Sequence, residues 1–203
     1  ASGIADAVAK WYESSLTSRT SKDGFVQQAV QMARVLRDQL FLNGCKAFKD
    51  PQSSSWKIVA EGCALTAGII GGLGGAKCRT AAAHPIHNGL TQLKYKNKPL
   101  HGELVGFGLL VQLHLEEKNS NSQLPKQAKS QLINFLSQLN LPVSIDSLSL
   151  RNTNSNELLK ACQFTCRKDS DIHQLPFPIN EKEILYAIQS YKSMQTFSNI
   201  SHK

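Results

Sequence analysis

The chain has 203 residues, of which 41% are hydrophobic and 19% charged, and this length and composition favour one globular domain, or at most two small ones, with a proper core. No apolar run reaches the roughly 18 uninterrupted residues of a membrane-spanning helix and no signal peptide opens the chain, so we expect a cytoplasmic protein without a membrane partner. The net charge of +8 would suit a nucleic acid, but the basic residues are scattered and no aromatic stacking platform accompanies them, so we expect no nucleic-acid partner.

The first predicted element is a helix that starts almost at once, with Ser2 as its N-cap. Apolar side chains recur along one face of this helix, and Asp6 falls on the opposite face, near Lys10 and Glu13. An acidic side chain in the first turn interacts favourably with the helix dipole. The pattern alone therefore favours a solvated aspartate at position 6.

Two further helices follow in the first half of the chain. Residues 22–48 carry apolar side chains at helical spacing, with Gly44 as a C-terminal stop, and a third helix covers residues 56 to about 70. The glycine-rich segment 68–79 ends with the cations Lys77 and Arg79 but fits neither a dinucleotide fingerprint nor a Walker loop. It favours a hinge at which two helices approach closely.

Three histidines mark the middle of the chain. His84 and His87 lie three residues apart on one helical face, and His101 heads a second helical run, residues 100–115, that is apolar nearly all round. Two histidines from different helices plus one carboxylate form the open, three-ligand site of a catalytic zinc. Spacing alone still favours two ordinary helical side chains at 84 and 87.

The last third of the chain carries no evident chemistry. Helices are predicted at residues 127–139, 157–167 and 181–197, and His114 and His173 are interpreted as structural. The five cysteines are odd in number and irregularly spaced, which favours reduced thiols over a disulfide framework. The whole pattern predicts an all-α bundle of about seven to nine helices.

Several stretches resemble the glycerol dehydrogenase and hydroxycarboxylate dehydrogenase branch of the iron-containing alcohol dehydrogenases. They are GIADA at residues 3–7, AAAHPIHNGLTQL, HGELVGFGLLVQLHLEE and the closing segment DIHQLPFPINEKEILYAIQ. The resemblance implies that residues 1–203 are the C-terminal helical domain of such an enzyme, a dehydroquinate synthase-like fold. It also implies that Asp6, His84 and His101 bind the metal.

The resemblance further implies a metal-dependent, NAD(P)-linked oxidoreductase that acts on a small alcohol, polyol or hydroxy acid and is a homo-oligomer at full length. Other branches carry a fourth histidine ligand where this chain has Lys10, which favours a three-ligand Zn²⁺ site, with Fe²⁺ or Ni²⁺ as alternatives. NAD(P) is held in this family mainly by an N-terminal α/β domain. Because no βαβ pattern is present, we expect that domain to be absent from this chain.

The substrate pocket is the least constrained part of the prediction. The resemblance makes His87 pocket-lining and puts Lys77 and Arg79 where glycerol-specific members carry an acidic and neutral stretch, so we expect them to bind a substrate with an anionic group, such as a 2-oxo acid. A hydroxycarboxylate dehydrogenase of the same family is one alternative function. A stand-alone, non-enzymatic helical metal-binding module is the alternative from another class.

Overall fold

The computed structural model describes residues 1–150 and 152–191, and every regular element within these ranges is helical. The predicted all-α bundle of seven to nine helices is therefore confirmed over the described residues. The α-helices are α1 Ser2–Thr17, α2 Gly24–Lys49, α3 Ser54–Glu61, α4 Ala67–Gly74, α5 Ala83–Leu90, α6 His101–Lys118, α7 Leu124–Gln138, α8 Ser155–Thr165 and α9 Glu181–Gln189.

Local capping chemistry explains where several helices begin. Asp23 Oδ1 accepts hydrogen bonds from the backbone N–H of Phe25 at 2.8 Å and of Val26 at 3.3 Å, so α2 starts at Gly24. Asn180 opens α9 with a capping box in which Glu183 accepts from the Asn180 N–H. Of the predicted last helix, the part from residue 192 onward lies outside the described residues.

Two predicted helix ends are wrong, in each case because a distant part of the chain determines the role of the residue. Gly44 does not stop α2, which runs on to Lys49; it is buried where the Phe135 ring approaches, and a Cβ there would lie 2.9 Å from the ring. Ser2 does not cap α1, whose N-cap is Ala1. Instead, the Ser2 hydroxyl accepts a hydrogen bond of 3.0 Å from the Gly102 N–H and ties α1 to α6.

Helix α6 is the centre of the bundle. It packs against α1, α5, α7 and α9, and its side chains are buried on all sides from Gly102 to Val111 apart from Glu103. Glycines let the neighbouring helices come close: a Cβ on Gly102 would lie 1.9 Å from the Ser2 carbonyl oxygen, and one on Gly108 would lie 2.5 Å from the Ala83 carbonyl oxygen. These contacts hold the beginnings of α1, α5 and α6 together.

The glycine-rich segment forms the end of a longer helical stretch. Helices α3 and α4 are joined by one π-helical turn, Gly62–Thr66, and α4 ends at a turn in which Gly75 has a φ of +58°. A short 3₁₀ helix, Gly75–Cys78, then leads towards α5. The turn at Gly75 agrees with the predicted hinge. The helix, however, extends beyond its predicted end at residue 70, because the glycines up to Gly74 are part of α4.

One helical stretch within the described residues, Ser54–Cys78, is long and apolar enough to span a membrane by composition, with a mean hydropathy of 1.5 in its most apolar window. Lys57 and Glu61 interrupt this stretch, so none of its apolar runs reaches the roughly 18 uninterrupted residues of a membrane-spanning helix. A single helix of this kind is weak evidence for a membrane span, since core helices pass the same test.

Candidate metal centre

Three side chains from three helices converge at one end of the bundle. Asp6 lies in the second turn of α1, His84 in the first turn of α5, and His101 is the first residue of α6. One carboxylate oxygen and one nitrogen of each ring lie within 4.8 Å of one another. Asp6 Oδ1 is 3.2 Å from Nε2 of His84 and 3.5 Å from Nε2 of His101. The structure thus brings together the three residues that the resemblance implies as ligands.

A wholly buried carboxylate orients the first histidine. Glu13 is 0% exposed, and its Oε2 lies 2.5 Å from Nδ1 of His84. Its Oε1 accepts the backbone N–H groups of Ala81 at 2.8 Å and of His84 at 3.1 Å. Helix periodicity places Glu13 on the same face of α1 as Asp6 but does not indicate a role for it. Its position seven residues, or about two turns, after Asp6 was the available signal, since residues at that spacing share a face.

A second chain of contacts orients the other histidine. His87 Nδ1 lies 2.9 Å from the Asn88 side-chain oxygen, and His87 Nε2 lies 3.1 Å from Nδ1 of His101. An amide oxygen only accepts hydrogen bonds, so His87 carries its proton on Nδ1 and accepts at Nε2. His101 must then donate from Nδ1. The predicted pocket residue His87 therefore turns the lone pair of His101 Nε2 towards Asp6.

The donor set fits a divalent metal. Glu13 and His87 favour a ring proton on Nδ1 of His84 and of His101, so each ring, when it is neutral, presents its Nε2 lone pair to the Asp6 carboxylate. Three acceptors this close repel one another unless a cation lies between them. Two imidazole nitrogens and one carboxylate oxygen are ligands that zinc, iron and nickel accept, and three protein ligands leave a coordination position open.

The pKa values of Asp6 and His84 indicate where a proton lies in the cluster when no metal is bound. Burial raises the pKa of Asp6, but its hydrogen bond to His84 and the charge of Lys10 outweigh burial and hold the pKa at about 2. Burial lowers the pKa of His84, but the Glu13 charge and the hydrogen bonds to Asp6 and Glu13 raise it to about 9. A proton therefore bridges His84 and Asp6 in the metal-free protein, and a metal must displace it.

The predicted substrate cations make their hydrogen bonds with residues outside this cluster. The Lys77 carbonyl oxygen accepts from the hydroxyl groups of Thr17 and Ser18, and Arg79 Nε donates to the Gly71 carbonyl oxygen at 3.3 Å. Thr17 is eleven residues beyond Asp6, about 16 Å along α1 at about 1.5 Å per residue. The lysine whose charge acts on both Asp6 and His84 is instead Lys10, one turn after Asp6.

The chain is similar in sequence to known oxidoreductases. No family model matches the chain. An uncharacterized oxidoreductase of Synechocystis sp. is 48% identical over 93% of this chain and 49% of its own length. Hydroxycarboxylate dehydrogenase A of Escherichia coli is 30% identical over 95% of this chain and 53% of its own length.

Solved structures give the same result for the fold. The glycerol dehydrogenase of Schizosaccharomyces pombe aligns with a TM-score of 0.80 and 28% identity, over 94% of this chain and 49% of its own. The iron-containing alcohol dehydrogenase of Corynebacterium glutamicum shares the fold, with a TM-score of 0.65 and 14% identity over 95% of this chain and 51% of its own. The chain spans about half the length of the relatives that it matches. By sequence the chain is similar to glycerol dehydrogenases and to hydroxycarboxylate dehydrogenase A, and it shares the fold of about half of a glycerol dehydrogenase and of an iron-containing alcohol dehydrogenase.

Proposed function

We propose that this chain is the metal- and substrate-binding helical domain of a cytoplasmic, NAD(P)-linked alcohol or polyol dehydrogenase related to glycerol dehydrogenase. The observation that carries the proposal is the convergence of Asp6, His84 and His101, whose ligand atoms lie within 4.8 Å of one another. Relatives named as glycerol dehydrogenase, hydroxycarboxylate dehydrogenase A and glycolaldehyde reductase support an oxidoreductase that acts on small hydroxy compounds. At full length we expect a homo-oligomer.

In this proposal, the residues of the chain hold the metal, which displaces the proton between His84 and Asp6. Asp6 contributes one negative charge, while His84 and His101 contribute neutral nitrogens because their protons sit on Nδ1. A bound divalent metal, zinc by its three-ligand set, would lower the pKa of a substrate hydroxyl or polarise a carbonyl. His87 lies beside His101 and would line the pocket next to the open coordination position.

Hydride transfer requires a dinucleotide next to this site. Residues 1–150 and 152–191 contain no strand, and the glycine-rich segment lacks the dinucleotide fingerprint, so NAD(P) would be held mainly by a separate α/β domain. We therefore expect the 203-residue chain alone to oxidise no alcohol with NAD. Misplacement of reacting groups by even about 1 Å costs roughly a hundredfold in rate, and half of the cleft would be missing. Measurable turnover by the chain alone would contradict this division of roles.

The substrate class follows from the charges near the metal. Lys10 adds a positive charge one turn from Asp6, which favours a substrate with an anionic group, while Lys77 and Arg79 remain the candidates from the resemblance. In a form that carries a dinucleotide-binding domain, kcat/KM measured for a short 2-oxo acid and for glycerol distinguishes Lys10 from the candidates of the resemblance. We expect Lys10→Met to lower the ratio of kcat/KM for the 2-oxo acid to kcat/KM for glycerol more than Arg79→Ala does. A glycerol preference unchanged by both variants would contradict an anionic substrate.

Metal analysis of purified variants tests the site itself. We expect one zinc per wild-type chain, and less than a tenth of that in His84→Ala and His101→Ala, since each removes a ligand. His173→Ala is the control, because His173 is exposed and its ring Nε2 lies 3.1 Å from the Arg167 carbonyl oxygen, away from the three proposed ligands. Undiminished zinc in both His84→Ala and His101→Ala would contradict the proposed function.

A further inference from the structure

The start of α5, the helix that carries His84, has no local cap. None of its own side chains caps the helix, and its first backbone N–H groups donate instead to side chains from other helices. Glu13 of α1 takes the N–H groups of Ala81 and His84, and Gln112 of α6 takes those of Ala82 and Ala83 at 3.2 and 3.1 Å. Both side chains are 0% exposed. Two buried side chains thus both cap the start of α5.

Only one of the two also touches the imidazole. Glu13 Oε2 lies 2.5 Å from Nδ1 of His84, whereas the Gln112 amide nitrogen turns away to the Tyr12 carbonyl oxygen and to Glu116. An ionised carboxylate accepts and cannot donate, so it requires the proton of His84 to sit on Nδ1. The other ring nitrogen, Nε2, lies 3.2 Å from Asp6 Oδ1 and donates to it while the ring carries both protons; once that proton is lost, the Nε2 lone pair faces Asp6.

We propose that Glu13 is the positioning residue of the metal centre, and that it fixes both the direction and the tautomer of His84 so that Nε2 is available as a ligand. The inference rests on the proposed metal site and adds a requirement to it. Carboxylates that receive the second ring N–H of a metal-binding histidine generally raise its basicity and hold its ring plane, and their loss weakens metal binding by about 10- to 100-fold.

The variant Glu13→Gln separates positioning from simple support. The amide has the same size, and its oxygen can still accept the two backbone N–H groups. Its NH₂ group, however, donates to Nδ1 of His84 and favours the opposite tautomer, in which an Nε2–H points at Asp6. We expect the Kd for zinc, measured by competition with a chelator, to rise by about 10- to 100-fold while the melting temperature of the metal-free protein changes little.

The matched control is Gln112→Met, which removes two hydrogen bonds from the same helix start without touching the imidazole. We expect it to lower the melting temperature and leave the zinc Kd within about threefold, because its effect is on support and not on the ring. Equal loss of zinc affinity in both variants would mean that Glu13 acts as a cap and would overturn the inference. So would wild-type zinc affinity in Glu13→Gln.

A spectroscopic readout decides the question independently of metal affinity. ¹⁵N chemical shifts of the His84 ring, recorded in the metal-free protein at a pH at which the spectrum itself shows a neutral ring, report the tautomer directly. We expect Nδ1–H in the wild type and Nε2–H in Glu13→Gln. The same tautomer in both proteins would overturn the inference, even if the Gln112 control fails to fold. Absence of zinc binding by the wild type would instead contradict the proposed function, and the tautomer comparison would still test Glu13.

Discussion

Glu116 is a partly buried carboxyl that the metal centre does not use. Burial raises its pKa, and although the Gln112 hydrogen bond and the charge of Arg19 act in the opposite direction, the value settles at about 7. Because this folded-state pKa lies above the ordinary value of 4.5, protonation of Glu116 stabilises the folded state relative to the unfolded state. That contribution is complete below pH 4.5 and is lost as the pH rises through 7.

We therefore predict that Glu116→Gln stabilises the protein above neutral pH and has little effect at acidic pH. The glutamine oxygen can still accept the hydrogen bond of 3.0 Å from Gln112 but carries no charge. Allowing for solvent screening, we expect a gain of about 1 kcal/mol at pH 8. Thermal denaturation at two pH values measures it.

The neighbouring variant Glu117→Gln serves as the control for this effect. The hydrogen bond from Lys129 holds the pKa of Glu117 below its ordinary value, so its neutralisation should not stabilise the protein at any pH. A pH-independent effect of Glu116→Gln would contradict the account of its burial.

Residue roles differ in how far the sequence could predict them. Asp6, His84 and His101 were predicted through motifs, because a ligand must be a specific residue type at a specific position. Glu13 was not, because its role depends on contacts to Ala81 and His84, about seventy residues away in the chain, and a glutamate on a helix face is ordinarily solvated. Arg79 could not be placed from spacing alone, because the preceding turn directs it to Gly71.

At the scale of the helices, α1, α5 and α6 set the geometry of the site through close backbone approach. Gly108 of α6 faces the carbonyl oxygen of Ala83, the residue that precedes His84. A Cβ on Gly108 would lie 2.5 Å from that oxygen. Backbone cannot yield as a flexible side chain can. A methyl group at position 108 must therefore push α5, and with it His84, away from α6.

We predict that Gly108→Ala destabilises the protein by about 1 to 3 kcal/mol, the usual cost of overpacking, and also weakens zinc binding. Gly68→Ala is the matched control, since Gly68 is exposed within α4 and nothing lies within 4 Å of a Cβ built there. Alanine in an exposed helix is favoured over glycine by up to about 1 kcal/mol. The free energy of unfolding, measured by chemical denaturation, should therefore fall for Gly108→Ala and rise for Gly68→Ala. Equal changes in both variants would contradict this role of Gly108 in packing.

Helix periodicity predicted the elements well and their ends less well. The apolar spacing located α2 and α6 to within a few residues, because one face or the whole surface of each is buried. The misassigned positions, Ser2 and Gly44, are small residues with several uses. Whether such a residue caps a helix, stops it or admits a neighbour depends on the packing partner, here Gly102 and Phe135.

For the whole molecule, metal binding should appear as stability. The proposed ligands come from the starts of three helices, so bound zinc would stabilise the folded chain over the unfolded one by about 2.7 kcal/mol when free zinc is 100-fold above its Kd. For a chain of this size that corresponds to a rise in melting temperature of several degrees. We predict this rise in the wild type and its absence in Asp6→Asn, which keeps the volume but loses the charge. An equal rise in both would mean that zinc stabilises the chain from another site.

Anomalous X-ray scattering at the zinc edge, from crystals of the zinc-loaded chain, shows whether Asp6, His84 and His101 form one metal centre. We expect one strong peak bounded by Asp6 Oδ1 and the Nε2 atoms of both histidines, at about 2.0 to 2.2 Å from each. A zinc peak at the cysteines or elsewhere, with none among these three side chains, would contradict it.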